Sequence, residues 1–182
     1  MRHRLVAVSL AAALAVGLAL ASRSARGEAP AGAEVGKPAP SFQLNDDAGK
    51  LVEVGGAATK TWTVLAFYPK AMTGGCTKEV CSIRDAKKDF EGLEATVYGI
   101  SIDDVQACAQ FVKKESLNFG LLSDPDRSAV AKYGAVMEGA PYAARYTYVI
   151  DPQGVLRHVD KGVKVASHGG DLVALLKKLK GS

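Results

Sequence analysis

The most informative stretch of the chain reads Phe67-Tyr68-Pro69-Lys70-Ala71-Met72-Thr73-Gly74-Gly75-Cys76-Thr77-Lys78-Glu79-Val80-Cys81. A β-rich run, Thr61 to Tyr68, stops at a proline, which has no N–H to offer a sheet. A short loop with two glycines follows, and Cys76 then opens a segment with helical periodicity. A thiol at a helix N-terminus faces unpaired N–H groups and the positive end of the dipole, which favour the nucleophilic thiolate. The stretch therefore predicts redox chemistry at Cys76, with Cys81 placed to capture the oxidised product.

Strands and helices alternate along the rest of the chain. A polar turn between Phe42 and Val54 predicts a hairpin, and the two acidic residues Asp103 and Asp104 are N-cap candidates. The further predicted strands are 61–68, 95–102, 119–122, 145–150 and 155–159. The predicted helices are 76–93, one that follows the N-cap candidates and runs through 114, a short one that follows the turn at 124–126 and ends at 133, and 171–180. This alternation predicts an α/β sandwich built on a mixed sheet.

The first residues are typical of an export signal. Arg2 and Arg4 precede an uncharged apolar run, Leu5 to Ala21, which ends in Ala-Leu-Ala. This plan predicts a secretory signal peptide over 1–21, a flexible leader over 22–34 and one domain over 35–182. We expect an exported, periplasmic protein without stable membrane association once cleaved. The alternative is an uncleaved membrane anchor, because 17 residues is the lower edge of a bilayer span.

Composition excludes some partners. The formal charge of +4 falls to +2 when Arg2 and Arg4 are removed, which is too little to predict nucleic-acid binding. Three cysteines are an odd number, so at least one thiol lacks an intramolecular partner at any moment. At 48% hydrophobic residues, the domain can build a core without disulfides, so a buried small side chain is the ordinary expectation for an isolated cysteine.

The motifs together resemble the Q-type peroxiredoxins, also called the bacterioferritin-comigratory-protein group of the AhpC/TSA family. They are Pro69-x-x-x-Thr73-x-x-Cys76, the cysteine at plus five, Arg84-Asp85, Gly99-Ile100-Ser101, 121–124 and 145–154. The resemblance implies a thioredoxin-like fold, a mixed central β-sheet flanked by helices, and reduction of hydrogen peroxide and organic hydroperoxides without metal or organic cofactor. One departure is Gly74-Gly75, where many members have Pro-Gly, so we expect a less pre-organised loop.

The resemblance also implies roles for single residues. Cys76 would attack one peroxide oxygen, and the N–H groups of Gly75 and Cys76 would stabilise the charge that develops. Thr73 would supply a hydroxyl and Arg145 a guanidinium, whereas Pro69 would end the strand and shield the pocket. Simpler alternatives are a helix N-cap for Thr73 and a surface charge for Arg145.

Three charged residues, Glu79, Arg84 and Asp85, follow Cys76 on the predicted helix. Glu79 resembles an acid that supports the active site from behind, but it also suits a first-turn glutamate favoured by the helix dipole. Arg84 and Asp85 are expected to be structural.

The resolving step can be framed by helix geometry. On one regular helix, Cα atoms of Cys76 and Cys81 lie roughly 8.7 Å apart and about 140° around the axis. The two Cα atoms of a disulfide lie less than about 7 Å apart, so the first turns of this helix must unwind before Cys76 and Cys81 can form one. Cys81 is the predicted resolving cysteine, and Cys108 on the next helix or an external thiol are the alternatives.

We expect a thioredoxin-like protein to reduce the resulting disulfide, and we expect the enzyme to be a monomer.

Two other classes are less well supported. Exported thioredoxin-like copper carriers use two helix-start cysteines with a histidine, but their spacing is one residue shorter than Cys76 to Cys81. Protein disulfide oxidoreductases usually carry Cys-x-x-Cys, which is absent here.

Overall fold

The computed structural model describes residues 32–181, so the predicted signal peptide and most of the leader lie outside the described residues. Within this range the strands are β1 (Phe42–Asp46), β2 (Leu51–Val54), β3 (Trp62–Phe67), β4 (Ala95–Ser101), β5 (Gly120–Ser123), β6 (Thr147–Ile150) and β7 (Leu156–Asp160). The helices are α1 (Gly74–Asp85), α2 (Lys87–Gly92), α3 (Val105–Glu115), α4 (Ser128–Tyr133) and α5 (His168–Lys180). Among these helices, none combines the length and hydropathy needed to cross a membrane.

The strands form one mixed seven-stranded sheet in the order β2-β1-β5-β4-β3-β6-β7. Strand β3 lies parallel to β4, with Trp62 opposite Ala95 and Phe67 opposite Ile100, and antiparallel to β6. The predicted hairpin is β1 and β2, which pair antiparallel at one edge. The predicted fold class, α/β and thioredoxin-like with a mixed sheet flanked by helices, is confirmed.

Alternation along β3 divides the core. Successive side chains of a strand point to opposite faces. Val64 and Ala66 pack with apolar residues of α1, α2 and α5, whereas Leu65 and Phe67 pack on the other face with residues of α4. A third cluster lies at the carboxyl end of β3 and includes Cys76, and its other members are Tyr68, Ala71, Val80, Cys108, Phe111, Leu117 and Leu121. The helix that carries the two predicted redox cysteines is therefore fixed on a buried sheet.

The single helix predicted from Cys76 to Leu93 is wrong, because the helix breaks at Ala86. Apolar spacing continues through the break, so periodicity alone does not reveal it. The carbonyl of Arg84 accepts a hydrogen bond from Asn118 Nδ2 at 3.2 Å, which replaces a helical partner at the end of α1. The bend allows Phe90 on α2 to enter the core.

The last helix starts three residues before the predicted Asp171. A Cβ at Gly169 would stand 2.1 Å from the carbonyl oxygen of Ser82, so only glycine permits this close approach of α5 to α1. The Gly169 N–H also donates to Ser82 Oγ at 3.0 Å. The start of α5 is thereby fastened to the middle of α1.

Candidate active site

The loop after β3 places Cys76 in the first turn of α1. Pairing with β4 continues one residue beyond β3, where Tyr68 N donates to Ile100 O at 2.9 Å, and Pro69 then ends the strand as predicted. The first helical hydrogen bond runs from Thr77 N to Thr73 O at 2.8 Å. The N–H groups of the residues between them therefore have no partner within the helix and point toward its N-terminal end.

Arg145 lies over the sulfur of Cys76. Its Nη2 donates to Cys76 Sγ at 3.3 Å, and the cysteine itself is buried. Arg145 lies two residues before β6, which begins at Thr147 instead of at the predicted residue 145. Burial alone would lower the pKa of Arg145, but its contacts with Cys76 and Glu79 outweigh burial and raise that pKa. The guanidinium is thus a fixed cation beside the sulfur, and the surface-charge alternative for Arg145 is wrong.

Glu79 is a buried carboxylate one turn behind Cys76. Its Oε2 accepts a hydrogen bond from Arg145 Nη1, so one guanidinium bridges the carboxylate and the sulfur. Its Oε1 lies 3.1 Å from His168 Nδ1, although the approach is too bent for a hydrogen bond. Of the two readings of Glu79, the contacts favour the supporting acid over an exposed first-turn glutamate.

Thr73 occupies the N-cap position of α1 without capping it. Its side chain accepts no bond from the helix, and its hydroxyl instead donates to Lys70 O at 2.9 Å. That bond uses the only proton of the hydroxyl, so Thr73 Oγ1 presents lone pairs, not a donor, to a molecule at the site. Thr73 is therefore the N-cap residue of α1 by position, but its side chain does not cap the helix.

Asp103 binds the loop between β3 and α1, a role that the sequence did not predict. The sequence indicates Asp103 only as an N-cap candidate, but Asp104 fills that position and accepts a hydrogen bond from Ala107 N at 2.8 Å. Asp103 Oδ2 instead accepts from Ala71 N at 2.7 Å and from Ser101 Oγ at 2.8 Å. A buried strand end followed by two acidic residues could have suggested that one of them binds a neighbouring loop.

Cys81 lies in a different setting on the same helix. It is half-buried, and its thiol donates to Glu115 Oε2 with the sulfur and oxygen 3.7 Å apart. Desolvation raises the pKa of Cys81, the Arg84 cation lowers it, and the charge and hydrogen bond of Glu115 raise it, so that the net shift is upward. Cys81 is therefore held as a thiol in this state.

Arg84 and Asp85 are structural, as predicted. Arg84 Nη2 pairs with Asp85 Oδ1 at 2.8 Å, and Arg84 Nη1 donates to the Glu115 carbonyl at 2.7 Å. These contacts join the end of α1 to the end of α3.

Cys108 is fully buried on α3. Desolvation, with the nearby charge of Asp103, raises the pKa of the Cys108 thiol to about 12. Its sulfur lies 4.0 Å from the Asp103 carbonyl oxygen and it shares an apolar cluster with Cys76. Such a thiol is a core side chain with little thiolate at neutral pH.

The fold and the site define a class of protein. All three cysteines are free, and residues 32–181 contain no group of three His, Cys, Asp or Glu side chains that could hold a metal. A buried cysteine at a helix N-terminus, hydrogen-bonded to an arginine on a thioredoxin-like sheet, defines a thiol-based redox enzyme.

Comparisons with known proteins identify the family. Residues 35–159 match the model of the AhpC/TSA family. The chain is 37% identical over 149 residues to a bcp peroxiredoxin of Coxiella burnetii, which covers 79% of this chain and 98% of that one. The structure resembles peroxidoxin BcpB from Mycobacterium tuberculosis with a TM-score of 0.72 at 30% identity, covering 81% of this chain and 98% of that one.

A second solved structure points to the same group. The bacterioferritin comigratory protein of Xanthomonas campestris, whose structures concern alkyl peroxide reduction, has a TM-score of 0.71 at 28% identity, covering 76% of this chain and 91% of that one. The chain belongs to the AhpC/TSA family and, within it, to the Q-type peroxiredoxins. It is a thiol-dependent peroxidase that works through a peroxidatic and a resolving cysteine.

Proposed function

We propose that Cys76 is the peroxidatic cysteine and that Cys81 is the resolving cysteine. The observation that carries this assignment is the guanidinium of Arg145 at 3.3 Å from Cys76 Sγ, beside the unpaired N–H groups that open α1. The two groups stabilise negative charge on the sulfur and on the peroxide oxygens as the O–O bond breaks. Cys81 faces a carboxylate instead, and no comparable donor set surrounds it among the described residues.

The first step is attack of the Cys76 thiolate on one peroxide oxygen. The S–O bond forms as the O–O bond breaks, the sulfur is oxidised to a sulfenic acid, and the other oxygen leaves as water or alcohol after taking a proton. The lone pairs of Thr73 Oγ1 accept the hydrogen bond of the peroxide O–H, because the Thr73 hydroxyl already donates to Lys70 O. Pro69, half-buried at the strand end, shields the pocket.

The second step joins the two cysteines and regenerates the enzyme. Cys81 attacks the Cys76 sulfenic acid, a disulfide forms, and the hydroxyl leaves as water. Both residues lie on α1, so their Cα atoms are roughly 8.7 Å apart and the first turns must unwind before the bond can form. A thioredoxin-like dithiol then reduces the disulfide and is itself oxidised.

The substrates are hydrogen peroxide and organic hydroperoxides. The alkyl peroxide reduction studied in the Xanthomonas campestris relative supports the organic substrates. The basic start and apolar run of residues 2–21 support cleavage as a signal peptide, export to the periplasm and recycling by a periplasmic or membrane-tethered thioredoxin-like protein. Cleavage would leave a protein without stable membrane association, and we propose that it is a monomer.

A mass map after peroxide treatment tests the assignment. After one equivalent of hydrogen peroxide, trypsin without reductant should leave the peptide Ala71–Lys78 joined to Glu79–Arg84. Linkage of Ala71–Lys78 to Asp89–Lys113 would move resolution to Cys108, and added oxygen on Ala71–Lys78 alone would mean an external resolving thiol. Three unmodified peptides would refute the peroxidase assignment.

A further inference from the structure

One buried titratable side chain takes no part in the steps described so far. His168 is the first residue of α5, and only 1% of its surface is exposed. Apolar residues of α5 and β6 form the core on this face of the sheet, yet both ring nitrogens of His168 lie close to polar atoms. Unpaired buried polar groups are costly, so the two polar contacts of this buried imidazole are expected to serve a purpose.

The two contacts lead toward the reacting sulfur. His168 Nε2 lies 3.1 Å from Thr147 Oγ1, and His168 Nδ1 lies 3.1 Å from Glu79 Oε1. Glu79 in turn binds Arg145, whose other nitrogen binds Cys76 Sγ. An unbroken line of side chains therefore connects the start of α5 with the sulfur.

The contact between Glu79 and His168 is bent. Both Glu79 Oε1 and His168 Nδ1 are buried and have no hydrogen-bond partner among the described residues, so each is the nearest available partner of the other. Hydrogen bonds of catalytic sites are often poorly aligned without substrate and tighten when it binds.

The contact with Thr147 suits a ring that carries its proton on Nδ1. When the Thr147 hydroxyl donates to Nε2, the proton of a neutral imidazole resides on Nδ1, the nitrogen that faces Glu79. In this tautomer His168 offers Glu79 a donor.

We propose that His168 is a positioning residue for the peroxide reaction, which acts through Glu79 to hold the guanidinium of Arg145 over Cys76. The proposal rests on the proposed role of Cys76. His168 Nδ1 lies against Oε1 of Glu79, while Oε2 binds Nη1 of Arg145 and Nη2 of the same guanidinium binds the sulfur. Without His168, Glu79 turns both oxygens toward Arg145 and draws it from the sulfur.

Backbone contacts of the neighbouring residue hold His168 in position, whatever its side chain. The next residue, Gly169, donates its N–H to Ser82 Oγ at 3.0 Å and packs against the α1 backbone. Substitutions that change only the ring contacts therefore leave the start of α5 anchored.

An isosteric pair of variants separates the two ring contacts. In His168→Asn the side-chain amide replaces Nδ1 and retains a donor for Glu79, whereas in His168→Gln it replaces Nε2 and retains a partner for Thr147. In a Cys81→Ser background, the rate of sulfenic acid formation at Cys76 is measured by rapid quench and trapping with dimedone. We expect His168→Gln to react about tenfold more slowly and His168→Asn to stay within about threefold of the parent. A Gln variant as fast as the Asn variant would overturn the proposal.

A double-mutant cycle shows whether His168 acts through Glu79. Adding His168→Gln to Glu79→Gln should cause no further loss of rate, whereas independent, additive losses would contradict the proposal. His158→Gln, on β7, is the matched histidine control and should react like the parent. The parent is assayed first: no oxidation of its Cys76 would refute the proposed function, whereas oxidation with an unchanged His168→Gln rate would refute only this inference.

Discussion

Two cysteines on one helix have opposite surroundings. Cys76, in the first turn of α1, is buried and receives a hydrogen bond from Arg145. Cys81, in the middle of α1, is half-buried and donates to Glu115. The same helix therefore presents one sulfur to a cation and the other to a carboxylate.

This difference separates the two chemical steps. The cation and the helix N–H groups suit a sulfur that must carry negative charge while it attacks peroxide. Desolvation, together with the carboxylate of Glu115, raises the pKa of Cys81 and favours its neutral thiol. Cys81 is therefore a poor nucleophile until α1 unwinds and the thiol leaves Glu115. A resolving cysteine whose thiolate is disfavoured in the folded helix competes poorly with Cys76 for peroxide.

The largest expected effect is at the cation. Arg145→Gln removes the charge beside Cys76 Sγ and leaves Glu79 buried without its ion pair. Loss of one preorganised donor costs about 10²–10³ in rate, so we expect a fall of that size in the second-order rate constant with hydrogen peroxide. Stopped-flow or competition kinetics would measure it.

An exposed arginine provides the control for this substitution. Arg127 lies on the surface, and Arg127→Gln should keep the parent rate. A loss of less than about tenfold in Arg145→Gln, with thermal stability unchanged, would mean that the guanidinium does not stabilise the reacting oxygens.

A smaller effect is expected at the carboxylate. Glu115→Gln removes the charge and weakens the acceptor that raise the pKa of Cys81, so that pKa should fall toward its ordinary value. Near-surface charge pairs contribute about 0.2–1 kcal/mol, so alkylation of Cys81 by iodoacetamide at pH 8 should accelerate up to about fivefold. Arg84→Gln removes the cation that lowers the same pKa and should slow alkylation. Equal shifts in one direction for both variants would contradict this electrostatic account.

The unwinding of α1 can be slowed from its first residue. Gly74→Pro suits the first helical position, since Thr73 is extended at φ −90° and ψ 151° and a Cβ at Gly74 meets no atom within 4 Å. Proline stiffens the loop by about 0.4–1 kcal/mol, so disulfide formation after oxidation should slow about threefold while the first step keeps its rate. Rapid-quench mass spectrometry follows both steps.

Gly74→Ala separates stiffness from the loss of glycine. Alanine adds the same Cβ without fixing φ, so its disulfide should form at a rate between those of the parent and of the proline variant. If Gly74→Pro forms the disulfide as fast as the parent, the first turn does not need to open.

The local chemistry of Cys76 could be predicted from sequence, but the surroundings of Cys81 could not. A proline, a short loop and a helix start are adjacent in the chain, so their joint geometry follows from local rules. Glu115 lies 34 residues from Cys81 and reaches it only because α3 packs against α1. The break at Ala86 likewise depends on distant Asn118, while the apolar spacing of α1 continues past it. Local patterns specify elements and their ends, whereas contacts between elements require the packed sheet.

The smallest expected effect is at the third thiol, Cys108, with which the reactivities of Cys76 and Cys81 can be compared. Burial raises the pKa of Cys108 to about 12, so at pH 9 only about one molecule in a thousand carries its thiolate. Its thiolate appears only as the pH approaches that value, so native Cys108 should resist alkylation at pH 9 and react fully only after denaturation. Cys108→Ala should leave peroxide turnover unchanged, because neither proposed step uses it. A loss of disulfide formation in Cys108→Ala would instead identify Cys108 as the resolving cysteine. The contact between Cys81 and Glu115 would then have no role in the reaction.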